Sequence, residues 1–120
     1  MLKVTKFGGS SMASADQYRK VRDIVLSDPD RRVVVVSAAG KRDKHDHKIT
    51  DLLYLCYAHT RYGEDCGQVF DMITSRYLEI RDELGIKLDL ETEFADLKTR
   101  LDEKSCLLYT SDAADDRISV

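Results

Sequence analysis

The first 36 residues predict a strand, a helix and a second strand, and this order constrains the fold more than any other feature. Residues 2–7 alternate apolar and polar side chains, which indicates a strand with Leu2 and Val4 on one face. Residues 33–36 are consecutive valines, a pattern typical of a strand that is covered on both faces in a parallel sheet. The sequence therefore predicts a right-handed βαβ unit and an α/β fold.

The segment between these strands carries helix signals at both ends. Ser14 and Gln17 have the spacing of a capping box, in which each residue satisfies a backbone N–H group of the other. Asp28 precedes Pro29 and ends the helix, because the residue before a proline avoids helical angles. The helix is amphipathic, and its apolar stripe consists of Tyr18, Val21, Ile24 and Val25.

The rest of the chain predicts a charged loop followed by helices. Residues 37–48 are polar and mostly charged, which indicates a long exposed loop. Helices are predicted over residues 49–62 and 66–84, the second of them closed by Gly85. A further apolar stripe, Leu90, Phe94, Leu97 and Leu101, predicts a last helix that ends near Lys104. The last two helices form a predicted hairpin.

Composition excludes several classes of protein. The chain has 120 residues, enough for about one small domain, and a net charge of −3, which argues against nucleic-acid and membrane-surface binding. No apolar run approaches the roughly 18 residues of a membrane span, and no leader precedes Lys3, so we expect a cytoplasmic protein. Cys56, Cys66 and Cys106 are odd in number and widely spaced, which favours buried thiols over disulfides or a zinc site.

A glycine-rich loop joins the first strand to the helix. In KFGGSS, residues 6–11, Gly8 and Gly9 let a phosphate approach the backbone, and the following helix N-terminus favours negative charge. Lys6 adds a full positive charge beside the loop. The loop matches neither the Walker A nor the GxGxxG pattern, so from spacing alone a phosphate cradle and a simple tight turn both remain open.

A second loop of small residues, SAAGK at residues 37–41, follows the second strand. Ligands of open α/β sheets bind beyond the carboxyl ends of the strands, where both loops are expected. The alternative is that Ala38, Ala39 and Gly40 only keep the connection compact. Ser37 is not predicted to be a hydrolase nucleophile, because the GxSxG elbow is missing.

For two further groups of residues, a structural role is the preferred interpretation. His45 and His47, with Asp43 and Asp46 nearby, suggest a metal site, but a solvated charged loop is the preferred interpretation. The side chains of Tyr54, Tyr57 and Tyr62 are able to stack on a base, yet packing in or around the core is the commoner arrangement.

The last fifteen residues differ in character from the charged helix before them. Residues 106–115 resemble one translated reading frame of a transposon-end adapter used in sequencing libraries. This resemblance implies that residues 1–105 are the natural sequence and that residues 106–120 are a non-native tail. The alternative is a genuine strand with an acidic tail.

Three blocks together resemble the amino-terminal part of aspartate kinases, in the amino acid kinase family. They are KFGGSS at residues 6–11, VVVSAAGK at residues 34–41 and KITDLL at residues 48–53. Their order and spacing suit the family, and the resemblance extends from about Leu2 to Lys104. It implies part of the family's αβα sandwich, with a βαβ start and a helical hairpin insertion.

The resemblance also implies a reaction, the transfer of the γ-phosphoryl group of MgATP to the side-chain carboxylate of L-aspartate. The product, 4-phospho-L-aspartate, is the first intermediate toward lysine, threonine and methionine. By position, Lys6 would stabilise the transferring phosphoryl group, and Thr50 would contact aspartate. The implied nucleotide-binding residues are Lys6, Phe7, Gly8, Gly9, Ser10, Ser37 and Gly40. Ser37 is also implied to bind the substrate.

The family's remaining features lie further along its members' chains, namely an acidic substrate-binding residue, a magnesium-positioning Asp, the adenine pocket and regulatory domains. We therefore expect no kinase activity from this polypeptide alone, most magnesium ligands outside it, and homo-oligomers for the whole enzyme. An incomplete sheet would also leave an unpaired edge and an uncovered apolar face. Three alternatives stay open: another member of the family, an aspartate kinase fused to homoserine dehydrogenase, and a non-catalytic α/β interaction module.

Overall fold

The computed structural model describes residues 1–111, and their side chains as far as residue 103. Its elements follow the predicted order of strand, helix, strand and helices. They are β1 (Lys3–Phe7), a 3₁₀ turn (Gly9–Met12), α1 (Ala15–Leu26), β2 (Arg31–Val36), α2 (Ile49–Arg61), α3 (Gly67–Leu84) and α4 (Leu90–Ser111). No helix in this part of the chain is long and apolar enough to cross a membrane.

The predicted βαβ unit is confirmed as a mixed α/β arrangement with a two-stranded parallel sheet. β1 pairs with β2 so that Val4 lies opposite Val33 and Phe7 opposite Val36. Ser14 caps α1, and its hydroxyl accepts a hydrogen bond from the Gln17 backbone N–H at 3.4 Å. The helix ends at Leu26, before the proline, as the sequence predicts. The 3₁₀ turn between β1 and α1, which begins at Gly9, was not predicted.

The prediction that the valines of β2 are covered on both faces is wrong for the described chain. Val33 to Val36 are all exposed, and Val36 has 54% of its surface accessible. Val4 on β1 is exposed to 65%. The physical reason is that the sheet of the described residues contains only two strands. The expected uncovered apolar face is thus present.

The chain divides into two compact units. The first comprises residues 1–51 and 79–86, and it contains the parallel sheet, α1 and both loops that follow the strands. Its buried apolar side chains come from the end of β1, from the loops and from the helices rather than from the strand centres. They are Phe7, Met12, Ala13, Ala15, Ala39, Ile49 and Ile80.

Among the described residues, the second unit comprises 52–78 and 87–111. Phe70 of α3 and Phe94 of α4 pack edge to face with their ring centroids 6.5 Å apart. Val69, Phe70 and Ile73 of α3 are buried, and Gly85 closes the helix with a φ of 71°, as predicted. α4 continues beyond the predicted end near Lys104. Most of the predicted non-native tail lies outside the described residues, and it stays a prediction.

Candidate functional site

The two small-residue loops begin side by side at the carboxyl ends of the two strands. Phe7 and Val36, the last residues of β1 and β2, are register partners in the parallel pair. Gly8 and Ser37 come directly after them, so both loops leave the same end of the sheet. Open α/β sheets bind their ligands at this carboxyl end of their strands.

A close backbone contact joins the two loops. The Gly40 N–H donates a hydrogen bond to the Gly9 carbonyl oxygen, with 2.8 Å between nitrogen and oxygen. A Cβ atom at Gly40 would lie 2.7 Å from the Gly9 carbonyl carbon and 2.9 Å from the Ser10 nitrogen. A Cβ atom at Gly9 would lie 3.2 Å from the Ala38 oxygen. The contact therefore requires glycine at position 40 and favours it at position 9.

A cavity of about 390 Å³ opens where the two loops meet. Its charged lining residues are two lysines, and no carboxylate is found among the described residues that line it. A cavity of this size, with backbone groups and two positive charges at its wall, suits an anionic ligand. The lining residues are Gly9, Ser10, Ser37, Ala38, Ala39, Gly40, Lys41, Lys48 and Thr50.

The loop between the two lysines is closed by an ion pair. The Arg42 guanidinium donates to both carboxylate oxygens of Asp46, with Nε–Oδ2 2.7 Å and Nη2–Oδ1 3.3 Å. The Arg42 backbone N–H also donates to Asp46 Oδ2, at 2.9 Å. The hydrogen bond to Asp46 raises the pKa of Arg42 above its ordinary value. At the end of the loop, the Ile49 N–H donates to the Ala39 carbonyl oxygen at 2.9 Å, next to the cavity.

The cavity brings together five of the eight residues that the sequence suggested for the site. Those five are Gly9, Ser10, Ser37, Gly40 and Thr50. Gly8, Phe7 and Lys6 do not line it. The Phe7 side chain is buried in the core of the first unit, and Lys6 is exposed on β1 opposite Val35.

Sequence reasoning missed Lys41 and Lys48 as site residues. Both lie in the quoted blocks, but the charged loop between them was predicted to be merely solvated. The available signal was positional, because one lysine directly follows the small-residue loop and the other directly precedes α2. Two cations at the two ends of a loop beside a glycine-rich turn are typical of anion recognition.

The other candidates have structural surroundings. Within the described part of the chain, no group of three or more His, Cys, Asp or Glu side chains is placed to hold a metal ion. Asp43 accepts a hydrogen bond from the His45 backbone N–H at 2.8 Å, which stabilises the loop. Cys56 and Cys66 are buried free thiols, as expected. The three tyrosines expected to pack are instead exposed: Tyr54, Tyr57 and Tyr62.

These features define a class, an α/β chain with a ligand-sized cavity at the carboxyl ends of two parallel strands. No protein-family model matches the chain. It is 46% identical to aspartokinase 3 of Bacillus subtilis over 85 residues, which is 71% of this chain and 19% of that protein. The chain thus spans about a fifth of the length of this relative.

Solved structures give the same result. Clostridium acetobutylicum aspartate kinase is similar over 90% of this chain and 25% of its own, with a TM-score of 0.81 and 43% sequence identity. Escherichia coli aspartokinase III in complex with aspartate and ADP is similar over 92% of this chain and 23% of its own, with a TM-score of 0.67 and 27% identity. The homologues of this chain are aspartokinases, and it corresponds to a part of them.

Proposed function

We propose that this chain is part of the catalytic domain of an aspartate kinase. The enzyme would transfer the γ-phosphoryl group of ATP to the side-chain carboxylate of L-aspartate, the first step toward lysine, threonine and methionine. The observation that carries the proposal is the cavity between the two loops, with backbone groups and two lysines at its wall. The relatives add support, since the E. coli enzyme was solved with aspartate and ADP. A non-catalytic interaction module is not favoured, because the relatives described above are named as aspartokinases.

Phosphoryl transfer needs positioning and charge neutralisation more than covalent chemistry. The backbone N–H groups of Gly8, Gly9 and Ser10 would hold the phosphates, whereas the Gly40 N–H already donates to Gly9 and acts by allowing close approach. Lys41 and Lys48 would neutralise charge at the cavity wall. No nucleophilic side chain is required, because the substrate carboxylate attacks the phosphorus atom.

Lys6 would supply a further positive charge to the transferring phosphoryl group. It lies on β1 two residues before Gly8, and its side chain is exposed. Ser37 and Thr50 line the cavity, and they are proposed to contact aspartate. Thr50 is near the start of α2, where backbone N–H groups favour a carboxylate.

Magnesium would accompany ATP as part of the substrate. The described residues do not fit a magnesium site, since no carboxylate lines the cavity and none of their acidic side chains form a suitable group. The roles proposed for this chain are therefore limited to binding and orienting the phosphates and the substrate.

Ligand binding to the chain tests the proposal. In an NMR titration, ADP is expected to shift the backbone amide signals of Gly8, Gly9 and Ser10. Lys6→Ala and Lys48→Ala should each weaken ADP binding by about threefold to tenfold, since each removes a charge-assisted contact to phosphate. Lys20→Ala is the matched control, because Lys20 is an exposed lysine of α1, and it should bind like the unsubstituted chain. Signal changes confined to other regions would contradict the proposal.

Turnover is tested in a second experiment. We expect no aspartate-dependent ATP turnover from the chain alone, because it matches only 19% of its relative. The chain grafted into B. subtilis aspartokinase 3, in place of the matching segment, should form an acyl phosphate that hydroxylamine traps as a hydroxamate. Lys6→Ala in this graft should lower kcat. Full turnover with Lys6→Ala would remove Lys6 from the mechanism.

A further inference from the structure

The loop that carries both cavity lysines has no helix or strand of its own between β2 and α2. Twelve residues, 37–48, connect these elements. A free loop of this length would spread its side chains over many arrangements, and ordering it costs conformational entropy. Lys41 and Lys48 nevertheless reach the same cavity. Something within the loop must therefore restrict its backbone.

Asp46 is the centre of that restriction. Its carboxylate accepts from the backbone N–H and from the guanidinium of Arg42, so residues 42–46 are closed into a ring by one side chain. The Asp46 side chain is only 12% exposed, which distinguishes it from an ordinary surface ion pair. The Asp46 N–H in turn donates to the Asp43 carbonyl oxygen at 3.2 Å. Asp46 is thus hydrogen-bonded through both its side chain and its backbone N–H group.

Arg42 also anchors the ring outside the loop. Its Nη1 donates to Glu79 Oε2 at 3.2 Å, and Glu79 belongs to the part of α3 that lies in the first unit. This guanidinium therefore contacts carboxylates on both the loop and a helix, in the forked geometry that arginine provides. We call Arg42, Asp46 and Glu79 the loop clasp.

We propose that the loop clasp positions Lys41 and Lys48 for phosphate, which makes Arg42 and Asp46 positioning residues for the ligand of the cavity. This inference rests on the proposed function. Lys41 is the neighbour of Arg42 in the chain, and Lys48 lies two residues after Asp46. When the clasp is closed, both ends of the ring are held, and the two lysines are presented to phosphate without a further cost of ordering the loop backbone.

The loop clasp and the simple loss of a charge predict opposite effects of Asp46→Asn on phosphate binding. Asp46→Asn removes a negative charge close to an anion site, so charge alone predicts tighter phosphate binding. The clasp predicts weaker binding, because the amide places an N–H₂ group against the donors of Arg42. Asp43→Asn is the matched control. It removes the same charge from the same loop, but it keeps the oxygen that accepts from His45.

Calorimetric titration of the 120-residue chain with inorganic tripolyphosphate tests the inference. This probe has the phosphate charges of ATP and needs no adenine pocket. We expect Asp46→Asn to bind about fivefold more weakly than the unsubstituted chain, and Asp43→Asn to bind equally or up to about twofold more tightly. Asp46→Glu restores the charge and both acceptor oxygens, so it should bind within about twofold of the unsubstituted chain.

A second measurement follows the loop without ligand. Hydrogen exchange at the Arg42 backbone amide should be faster in Asp46→Asn and unchanged in Asp43→Asn, while the melting temperature stays close to that of the unsubstituted chain. Equal or tighter tripolyphosphate binding by Asp46→Asn, or unchanged exchange at Arg42, would overturn the clasp and leave the proposed function standing. Absence of binding by the unsubstituted chain would overturn the proposed phosphate site itself, and with it the role given to the clasp.

Discussion

At the scale of single residues, Gly40 has no room for a side chain. The Cβ atom of alanine would lie 2.7 Å from the Gly9 carbonyl carbon, so the backbones of the two loops would have to separate. We expect Gly40→Ala to lower the free energy of unfolding by about 1–3 kcal/mol, as other overpacked substitutions do. It should also break the Gly40–Gly9 hydrogen bond. Urea unfolding followed by circular dichroism measures the first effect.

Gly8 provides the matched control for this substitution. Its backbone is extended, and a Cβ atom there would meet nothing within 4 Å. Gly8→Ala should therefore change the free energy of unfolding by less than about 0.5 kcal/mol. Equal destabilisation by both substitutions would show that the contact between the loops contributes little to folding.

The buried thiol of Cys56 gives a pH-dependent prediction. Its side chain is 2% exposed, and burial, followed by the neighbouring Cys66 thiol, raises the pKa of Cys56 to about 12 from a reference of 9.0. The neutral thiol is thus favoured by folding. Its stabilising contribution is fully present below about pH 9 and is lost as the pH rises from there toward 12. The deficit of Cys56→Ala in unfolding free energy should shrink over that range.

Val69→Ala controls for the other groups that titrate at high pH. Val69 is also buried in the second unit but has no ionisable group, so the deficit of this variant should stay constant with pH. Urea unfolding of the three proteins at intervals from pH 7 to about 11, under reducing conditions, gives the comparison. Parallel pH profiles for Cys56→Ala and the unsubstituted chain would contradict the prediction.

Part of the site was predictable at this scale, and part was not. Gly9 and Gly40 follow strands in the sequence, and the parallel topology requires those strands to end together, so their proximity could be foreseen. Lys41 and Lys48 lie in a charged loop without periodicity, and a pattern of charges does not tell which of them face a cavity. That depends on the ring closed by Asp46, a contact within an irregular loop.

At the scale of elements, local sequence signals predicted where α1 begins and ends, but they did not predict whether the valines of β2 are buried. Ser14 and the Asp28-Pro29 pair mark the ends of α1 through contacts made within a few residues, so they act regardless of the rest of the fold. The four consecutive valines of β2 predict a strand that is buried on both faces. Whether anything covers them depends on elements that no local pattern specifies, and in the described residues they are exposed.

At the scale of the whole molecule, the exposed valines lie on both faces of the sheet, and three of them share one face. Val4 is paired with Val33 and Lys6 with Val35, so the side chains of these four residues share a face. Its three valines are all exposed. An exposed apolar sheet of this kind, with unpaired strand edges, favours association between chains. The apolar surface predicts concentration-dependent self-association of the 120-residue chain and binding of the dye ANS.

A double substitution, Val4→Thr with Val35→Thr, tests whether that face is responsible. Threonine keeps the β-branched shape that suits a strand and adds a hydroxyl group that water can solvate, so association and dye fluorescence should both fall. Leu26→Thr is the matched control, since Leu26 is an exposed apolar residue of α1 outside the sheet, and it should leave both unchanged. Sedimentation velocity over a range of concentrations measures the association. A chain that stays monomeric throughout and binds no dye would show that the exposed valines do not drive contact between molecules.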